Sequence, residues 1–278
     1  MTLVQNAVDP NGLYQAADFR LSTFRRGKKV AHEDYTSQKA IFVSTFEWWA
    51  LVAFAGVGST DGVDFSRWLG ERVRPGNWSK QATPGDLIEF LRSADPFLAR
   101  IRNREDARHS FCMLLRDGHA SYGILVSNFE RLSGERLRVA KPRLEVEPMH
   151  IARSFVFLSG ARDAVLPAEQ QRLLELVTRR AEPATIQDAM ADINESAAAR
   201  EPADLISKSC FAAFLMTDGT GGARTYGRDD DDVPYSPAFA DVLTQLGLRI
   251  NPALDEHGKP KPVKLRSMSM ARSRPLKG

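Results

Sequence analysis

The apolar positions of this chain come mostly in short runs closed by turn-forming residues, and helical spacing appears in two stretches. Leu3 to Val8 is the first run. It breaks at Asp9-Pro10-Asn11-Gly12, a strong turn signal, and resumes from Leu13 to Ala17, which predicts a hairpin. Ala40 to Val43 and Trp48 to Phe54 predict two more strands, the second running into Ala55-Gly56-Val57-Gly58. Adjacent residues of a strand face opposite ways, so Trp48 and Trp49 are expected to point one into the core and one toward a neighbour or helix. A helix is predicted over about 62–73, with Asp64 as its early cap and Phe65, Trp68, Leu69 and Val73 near helical spacing. A second starts near Thr83-Pro84-Gly85-Asp86 and carries Leu87, Ile88, Leu91 and Phe97-Leu98 on one stripe. Ser110 to Leu115 and Tyr122 to Val126 flank Arg116-Asp117-Gly118-His119, a second hairpin turn. Ser154 to Leu158 is another strand, ending in Ser159-Gly160-Ala161. Helices over about 168–181 and 185–199 follow, then a last strand from Cys210 to Thr217. Helix pairs between sets of strands imply an α+β chain with sheets inside and helices outside.

Composition changes this picture little. A length of 278 residues, 43% hydrophobic and 26% charged, suits a globular chain with a sizeable core. No run approaches the roughly 20 apolar residues of a spanning helix, and the N-terminus has no basic segment leading an apolar one, so neither membrane insertion nor a signal peptide is expected. Cys112 and Cys210 each sit in an apolar run, as buried thiols of a reducing compartment do, and a cytoplasmic location is expected. The net charge of +3 conceals an asymmetry. Residues 259–278 carry seven Lys and Arg and no acid, which leaves the rest of the chain near −4. This Pro- and Ser-containing tail is expected to be disordered and solvated, with nucleic acid an unlikely partner. Gly219-Thr220-Gly221-Gly222 follows a strand without a helix behind it and lacks a phosphate-loop lysine, so a turn is expected. Four adjacent acids, Asp229 to Asp232, cannot all face one ion, and His32, His109, His119, His150 and His257 show no paired ligand spacing. No metal or cofactor is expected.

The candidate chemistry begins at residue 2. Once Met1 is removed, Thr2 carries a hydroxyl and a free α-amine on one residue. The hydroxyl is a weak nucleophile that needs a base. An α-amine titrates near ~8 and accepts that proton close to neutral pH. A lysine beside the hydroxyl favours its anion, and a carboxylate beside the lysine holds it in place. Asp18, in Ala16-Ala17-Asp18-Phe19-Arg20, and Lys39, in Lys39-Ala40-Ile41-Phe42-Val43, supply the two residue types near the right strands. Taken singly, each has a plain reading: a small residue after Met1, a turn acid, a lysine whose stem snorkels at a strand end.

With Thr2-Leu3-Val4 at its head, this order of motifs resembles the proteasome-type branch of the N-terminal nucleophile hydrolases over about residues 2–220. Ala16-Ala17-Asp18-Phe19-Arg20 is similar to the family's acid-bearing strand end and Lys39-Ala40-Ile41-Phe42-Val43 to its lysine strand. Ala53-Phe54-Ala55-Gly56 resembles the segment whose glycine N–H forms the oxyanion hole. Phe157-Leu158-Ser159-Gly160 resembles the turn before the third helix, and Asp204-Leu205-Ile206-Ser207 the acid and serine that close the site. The resemblance implies a four-layer αββα sandwich over residues 1–220, with 221–278 as a C-terminal extension. It implies a threonine-type hydrolase of amide bonds in peptides or proteins, with Thr2, Asp18, Lys39, Gly56, Asp204 and Ser207 as its catalytic set. It also implies a homo-oligomer and names an ATPase unfoldase as a candidate partner. Bacterial two-component relatives expose their threonine by Met removal alone, as this N-terminus would allow. The chain departs from the pattern at Ala161, where members of the family carry a serine, in a longer and more basic loop from Thr23 to Ser37, and beyond residue 220. The alternative reading is a catalytically inactive subunit or scaffold of the same fold.

Overall fold

A computed structural model describes residues 2–20, 22–25, 28–30, 39–44, 48–60, 63–72, 82–118, 120–201, 205–226 and 268–270. Asp204, the Asp229 to Asp232 run and all of the basic tail except 268–270 lie outside them.

The first strands, β1 (Leu3–Asp9) and β2 (Gly12–Asp18), form the expected hairpin. Its turn is closed by the Asp9 carboxylate, whose Oδ1 accepts from the N–H groups of Asn11 at 2.5 Å and Gly12 at 3.1 Å. β3 (Ser22–Arg25) and β4 (Lys28–Val30) lie in the basic segment, where no strand was expected. β5 (Ala40–Ser44) pairs with β6 (Trp48–Thr60), which runs well past Phe54, and β7 (Val63–Asp64) pairs with the end of β6. Asp64 is thus a strand residue, and α1 (Phe65–Arg72) starts after it. α2 (Pro84–Arg92) opens on a reciprocal cap, Thr83 Oγ1 accepting from Asp86 N at 3.2 Å and Asp86 Oδ2 from Thr83 N at 2.7 Å. The stripe expected to continue to Leu98 is divided: α2 stops at Arg92, and Phe97 and Leu98 lie in a separate turn, α3 (Asp95–Leu98), with Pro96 in its first turn.

β8 (His109–Asp117) and β9 (Ala120–Ser127) form the second hairpin, and β10 (Glu145–His150) flanks β9. β11 (Phe155–Gly160) leads through a short 3₁₀ turn at Arg162–Ala164 into α4 (Pro167–Thr178) and α5 (Pro183–Arg200). β12 (Cys210–Met216) is not the last strand. β13 (Gly221–Tyr226) and β14 (Met268–Met270) follow it, so Gly221 and Gly222 open a strand instead of ending a turn.

The strands form two sheets, one ordered β11-β1-β2-β12-β13-β14 and the other β10-β9-β8-β6-β3-β4, with β5 and β7 on β6. Strand alternation divides their side chains among three apolar clusters. Val4, Val8, Leu13 and Ala17 of the first sheet meet Trp49, Leu51, Ala53, Cys112 and Leu114 of the second. On its other face the first sheet presents Leu3, Ala7, Tyr14 and Ala16 to Leu173, Val177, Ile186 and Met190 of α4 and α5. The second sheet presents Trp48, Val52, Phe54 and Phe111 to Phe65, Leu69, Leu87 and Leu91 of α1 and α2. β1 and β2 therefore bury apolar side chains on both faces, which explains their mostly apolar runs, and the polar Gln5, Asn6 and Gln15 within them are buried as well. Trp48 and Trp49 part as expected, one to the helices and one to the space between the sheets. No helix among the described residues is long and apolar enough to cross a membrane.

Candidate active site

The ends of several strands bring Thr2, Asp18 and Lys39 together. Thr2 directly precedes β1, Asp18 closes β2, and Lys39 directly precedes β5, tied to β6 by a bond from Phe54 N to its carbonyl at 3.1 Å. Lys39 Nζ donates to Thr2 Oγ1 at 2.6 Å and to Asp18 Oδ1 at 3.0 Å, and it also donates to the Arg20 carbonyl. Thr2 Oγ1 in turn donates to the same carbonyl at 3.3 Å. The side chains of Lys39 and Asp18 are 0% exposed and Thr2 is 1% exposed. A charge pair out of water holds only where its remaining hydrogen-bonding capacity is met. Here the Asp18 carboxylate also accepts from Leu3 N at 3.2 Å, Arg20 N at 3.1 Å and Ser207 N at 3.0 Å. Three backbone segments thus fix the acid, the acid fixes the lysine, and the lysine ends on the threonine hydroxyl.

Ser207 reaches the site through its backbone. Its hydroxyl donates to the Ser209 carbonyl at 3.0 Å and accepts from Ser209 N at 3.1 Å, and Asn194 Nδ2 of α5 holds its carbonyl at 2.7 Å. Asp204 lies outside the described residues.

One glycine, Gly160, stands directly against Thr2. Gly160, at the end of β11, has φ +79°, and a Cβ placed on it would lie 1.8 Å from the Thr2 carbonyl oxygen and 2.9 Å from the Ala55 Cβ. Only glycine allows this approach. Next along, Ala161 N donates to the Thr2 carbonyl at 2.8 Å, so the residue standing where the family carries a serine touches Thr2 through its main chain. Gly56 follows Ala55 in β6, at φ +112°, and pairs with His109.

Sequence reasoning missed a second buried polar cluster behind Gly160. Glu130, in the connection after β9, accepts from Gly160 N at 3.1 Å, from Arg136 at 3.0 Å and from Ser159 Oγ. Ser110 Oγ lies 2.6 Å from Ser159 Oγ and 3.3 Å from the Glu130 carboxylate. Burial pushes the Glu130 carboxyl above its ordinary value, and its bonds to Ser159 and Arg136 oppose that rise. Nothing in the run Ser127-Asn128-Phe129-Glu130-Arg131 marks this glutamate, because every partner of its carboxylate except Arg136 is distant in sequence. A cavity of about 550 Å³ is lined by Glu130, Leu132, Phe157, Ser159, Val165 and Gln170 among others, and by none of Thr2, Asp18 and Lys39.

Cys112, Cys210 and His109 are plain core residues, His150 is exposed, and His32, His119 and His257 lie outside the described residues. Cys112 and Cys210 are buried free thiols, and burial pushes the Cys112 thiol up to about 12, far from the reactive anion. His109 is fully buried against Phe54, Phe65 and Phe111, and desolvation lowers its pKa to about 3. No group of His, Cys, Asp and Glu among the described residues has the arrangement of a metal site.

No protein-family model matches the chain, and no curated protein matches it. Among solved structures it is similar to Anbu (ancestral beta-subunit) from Yersinia bercovieri, at 11% identity over 89% of this chain and 94% of that one, with a TM-score of 0.49. It is similar to Anbu from Hyphomicrobium sp. strain MC1, at 14% identity over 90% of this chain and 98% of that one, TM-score 0.49. A Gly-1 mutant of Anbu from the same strain matches at 11% identity over 83% and 90%, again with a TM-score of 0.49. These matches span up to 90% of the chain.

Proposed function

We propose that this protein is a threonine-type N-terminal nucleophile hydrolase that cleaves amide bonds in peptides after Met1 is removed. The observation that carries the reading is the 2.6 Å contact between Lys39 Nζ and Thr2 Oγ1, with Asp18 at 3.0 Å behind the lysine. A buried ammonium on a hydroxyl stabilises negative charge developing on that oxygen.

In the proposed reaction, Thr2 Oγ attacks the substrate carbonyl carbon while its proton passes to the Thr2 α-amine. The Gly56 N–H holds the resulting oxyanion, and loss of such a donor typically costs about 10²–10³ in rate. The ammonium then returns the proton to the leaving nitrogen as the C–N bond breaks. Water attacks the Thr2 ester, gives its proton to the amine, and releases the acid as Oγ regains a proton. Asp18 fixes Lys39, and Ser207 supports Asp18 through its backbone N–H. Asp204 is proposed beside the amine from its place in the motif. The four-layer αββα arrangement of residues 1–220, with 221–278 as an extension that adds β13 and β14 to the first sheet, belongs to this reading, as do assembly into a homo-oligomer and a cytoplasmic location. An ATPase unfoldase remains the partner to test by co-purification.

The test is labelling of the Met1-free protein by a peptide epoxyketone, read as added mass on Thr2, with hydrolysis of a fluorogenic peptide in parallel. Wild type is expected to label and turn over, and Thr2→Ala to do neither. Full hydrolysis by Thr2→Ala would sink this mechanism. The second reading is a subunit of the same fold without turnover. It is favoured by Ala161, which offers Thr2 no side-chain hydroxyl. A Met1-free protein that stays unlabelled would select it.

A further inference from the structure

The wall against Thr2 is made of main chain, so something must set its distance. Gly160 leaves no room for adjustment: its Cα stands where even a methyl would collide with the Thr2 carbonyl. Ala161 N holds that carbonyl at 2.8 Å. Both polar groups of the Gly160 backbone are themselves held by a pair of side chains from the connection after β9. Glu130 Oε1 accepts from Gly160 N at 3.1 Å, and Arg136 donates to the Gly160 carbonyl. The two are joined by Arg136 Nε to Glu130 Oε1 at 3.1 Å and by a bridge between their backbones. Arg136 also bonds Asp163 at 2.6 Å, within the 3₁₀ turn that follows. The clamp reaches the second sheet as well, because Ser110, 2.6 Å from Ser159 Oγ, pairs with Ala55, the residue before Gly56.

We propose that Glu130 and Arg136 are positioning residues that set the Gly160–Ala161 main chain against Thr2, and so aim the Thr2 hydroxyl at the substrate carbon and the amine at the hydroxyl proton. The pair rests on the hydrolase reading above and touches no reacting atom. It does for Thr2 what a side-chain serine at position 161 would do: it fixes the nucleophile residue at its carbonyl, where Lys39 holds it at its hydroxyl. A carboxylate with only bracing duty would not need its acceptor on the N–H of the glycine whose Cα abuts the nucleophile residue. Partners that orient a reacting group in this way typically carry about 10–100-fold in activity.

The test compares Met1-free wild type, Glu130→Gln, Arg136→Lys and Asp163→Asn in epoxyketone labelling, resolved into the maximal labelling rate and the half-saturating concentration. Intact mass gives the labelled fraction and circular dichroism the melting temperature. Glu130→Gln and Arg136→Lys are expected to lower the maximal rate about 10–100-fold per labelled molecule, with half-saturation unchanged. Asp163→Asn, which loosens only the exposed end of the clamp, is expected to label as wild type does. A structural role alone would lower the melting temperature and the labelled fraction and leave the rate per labelled molecule intact. That result overturns the proposal. If Glu130→Gln does not fold, the rate of Arg136→Lys decides. Wild type that fails to label defeats the hydrolase reading itself, a separate outcome.

Discussion

Two acid–base pairs are linked to Thr2, one through its hydroxyl and one through the glycine against its carbonyl, and they differ in where their hydrogen bonds end. In the Lys39–Asp18 pair both side chains are fully buried, the acid is saturated by backbone donors, and the cation has a hydroxyl within 2.6 Å. In the Arg136–Glu130 pair the arginine is partly exposed, and the bonds of the pair end on the backbone of Gly160, on the Ser159 and Ser110 hydroxyls and on Asp163. The first pair places a charge on an atom that can react. The second spreads its charges over the Gly160 main chain, the Ser159 and Ser110 hydroxyls and an exposed acid, none of them the Thr2 hydroxyl. A buried ion pair is weak evidence of stability by itself, and its use is better read from the group that receives its outermost bond.

The comparison breaks most visibly at Lys39. Lys39→Ala leaves Asp18 buried without its cation, a loss of about 3–5 kcal/mol, and strips the hydroxyl of its nearest charge. Labelling at Thr2 is expected to fall by on the order of 10⁴-fold or more, far beyond any change at Glu130. Retention of more than a tenth of the wild-type labelling rate would show that the lysine pair is structural.

The next effect lies between the two pairs. Gly160→Ala forces a methyl toward the Thr2 carbonyl at a position already at φ +79°. A stability loss of about 3 kcal/mol or more is expected in denaturant melts, with labelling reduced in the fraction that folds. A neutral Gly160→Ala would mean that the wall is free to retreat, and the clamp would lose its object.

The smallest effect sharpens the comparison through pH. His109 belongs to neither pair. Its folded pKa of about 3 lies below its ordinary 6.5, so the unfolded chain takes up the proton first. Its contribution is present above pH 6.5 and is lost as pH falls toward about 3, with a slope of up to about 1.4 kcal/mol per unit. Glu130 works in the other sense. Burial raises its pKa, so the folded state protonates first and gains stability as pH falls through that value. His109→Phe, which keeps a ring among Phe54, Phe65 and Phe111, is expected to flatten the acid limb of the melting curve. An unchanged limb would show that His109 is not its source.

What the sequence disclosed follows the range of the forces involved. The β1–β2 hairpin was legible because its turn is written in four adjacent residues, and the strands β8 and β9 because apolar runs flank Asp117-Gly118. Thr2, Asp18 and Lys39 were legible because each stands at the end of an apolar strand in a familiar order, and the fold brings those ends together. β10 was missed because Glu145 to His150 alternates exposed positions on an outer strand with little apolar content. β13 was missed because its two leading glycines read as a turn, and only pairing with β12 makes them a strand. The clamp was illegible for the same reason, since Glu130 acquires its meaning from Gly160, Ser159 and Ser110, none of them near in sequence.

The two thiols lend themselves to a different use. Cys112 lies between the sheets with no exposed surface, and Cys210 pairs across β2 with Asp18 itself. Neither meets a solvent-borne reagent while the chain is closed. The rate at which each is alkylated in native buffer therefore times an opening event, one in the heart of the sandwich and one beside the acid that anchors Lys39. The molecule carries two internal clocks at separate depths, readable by mass without adding a probe.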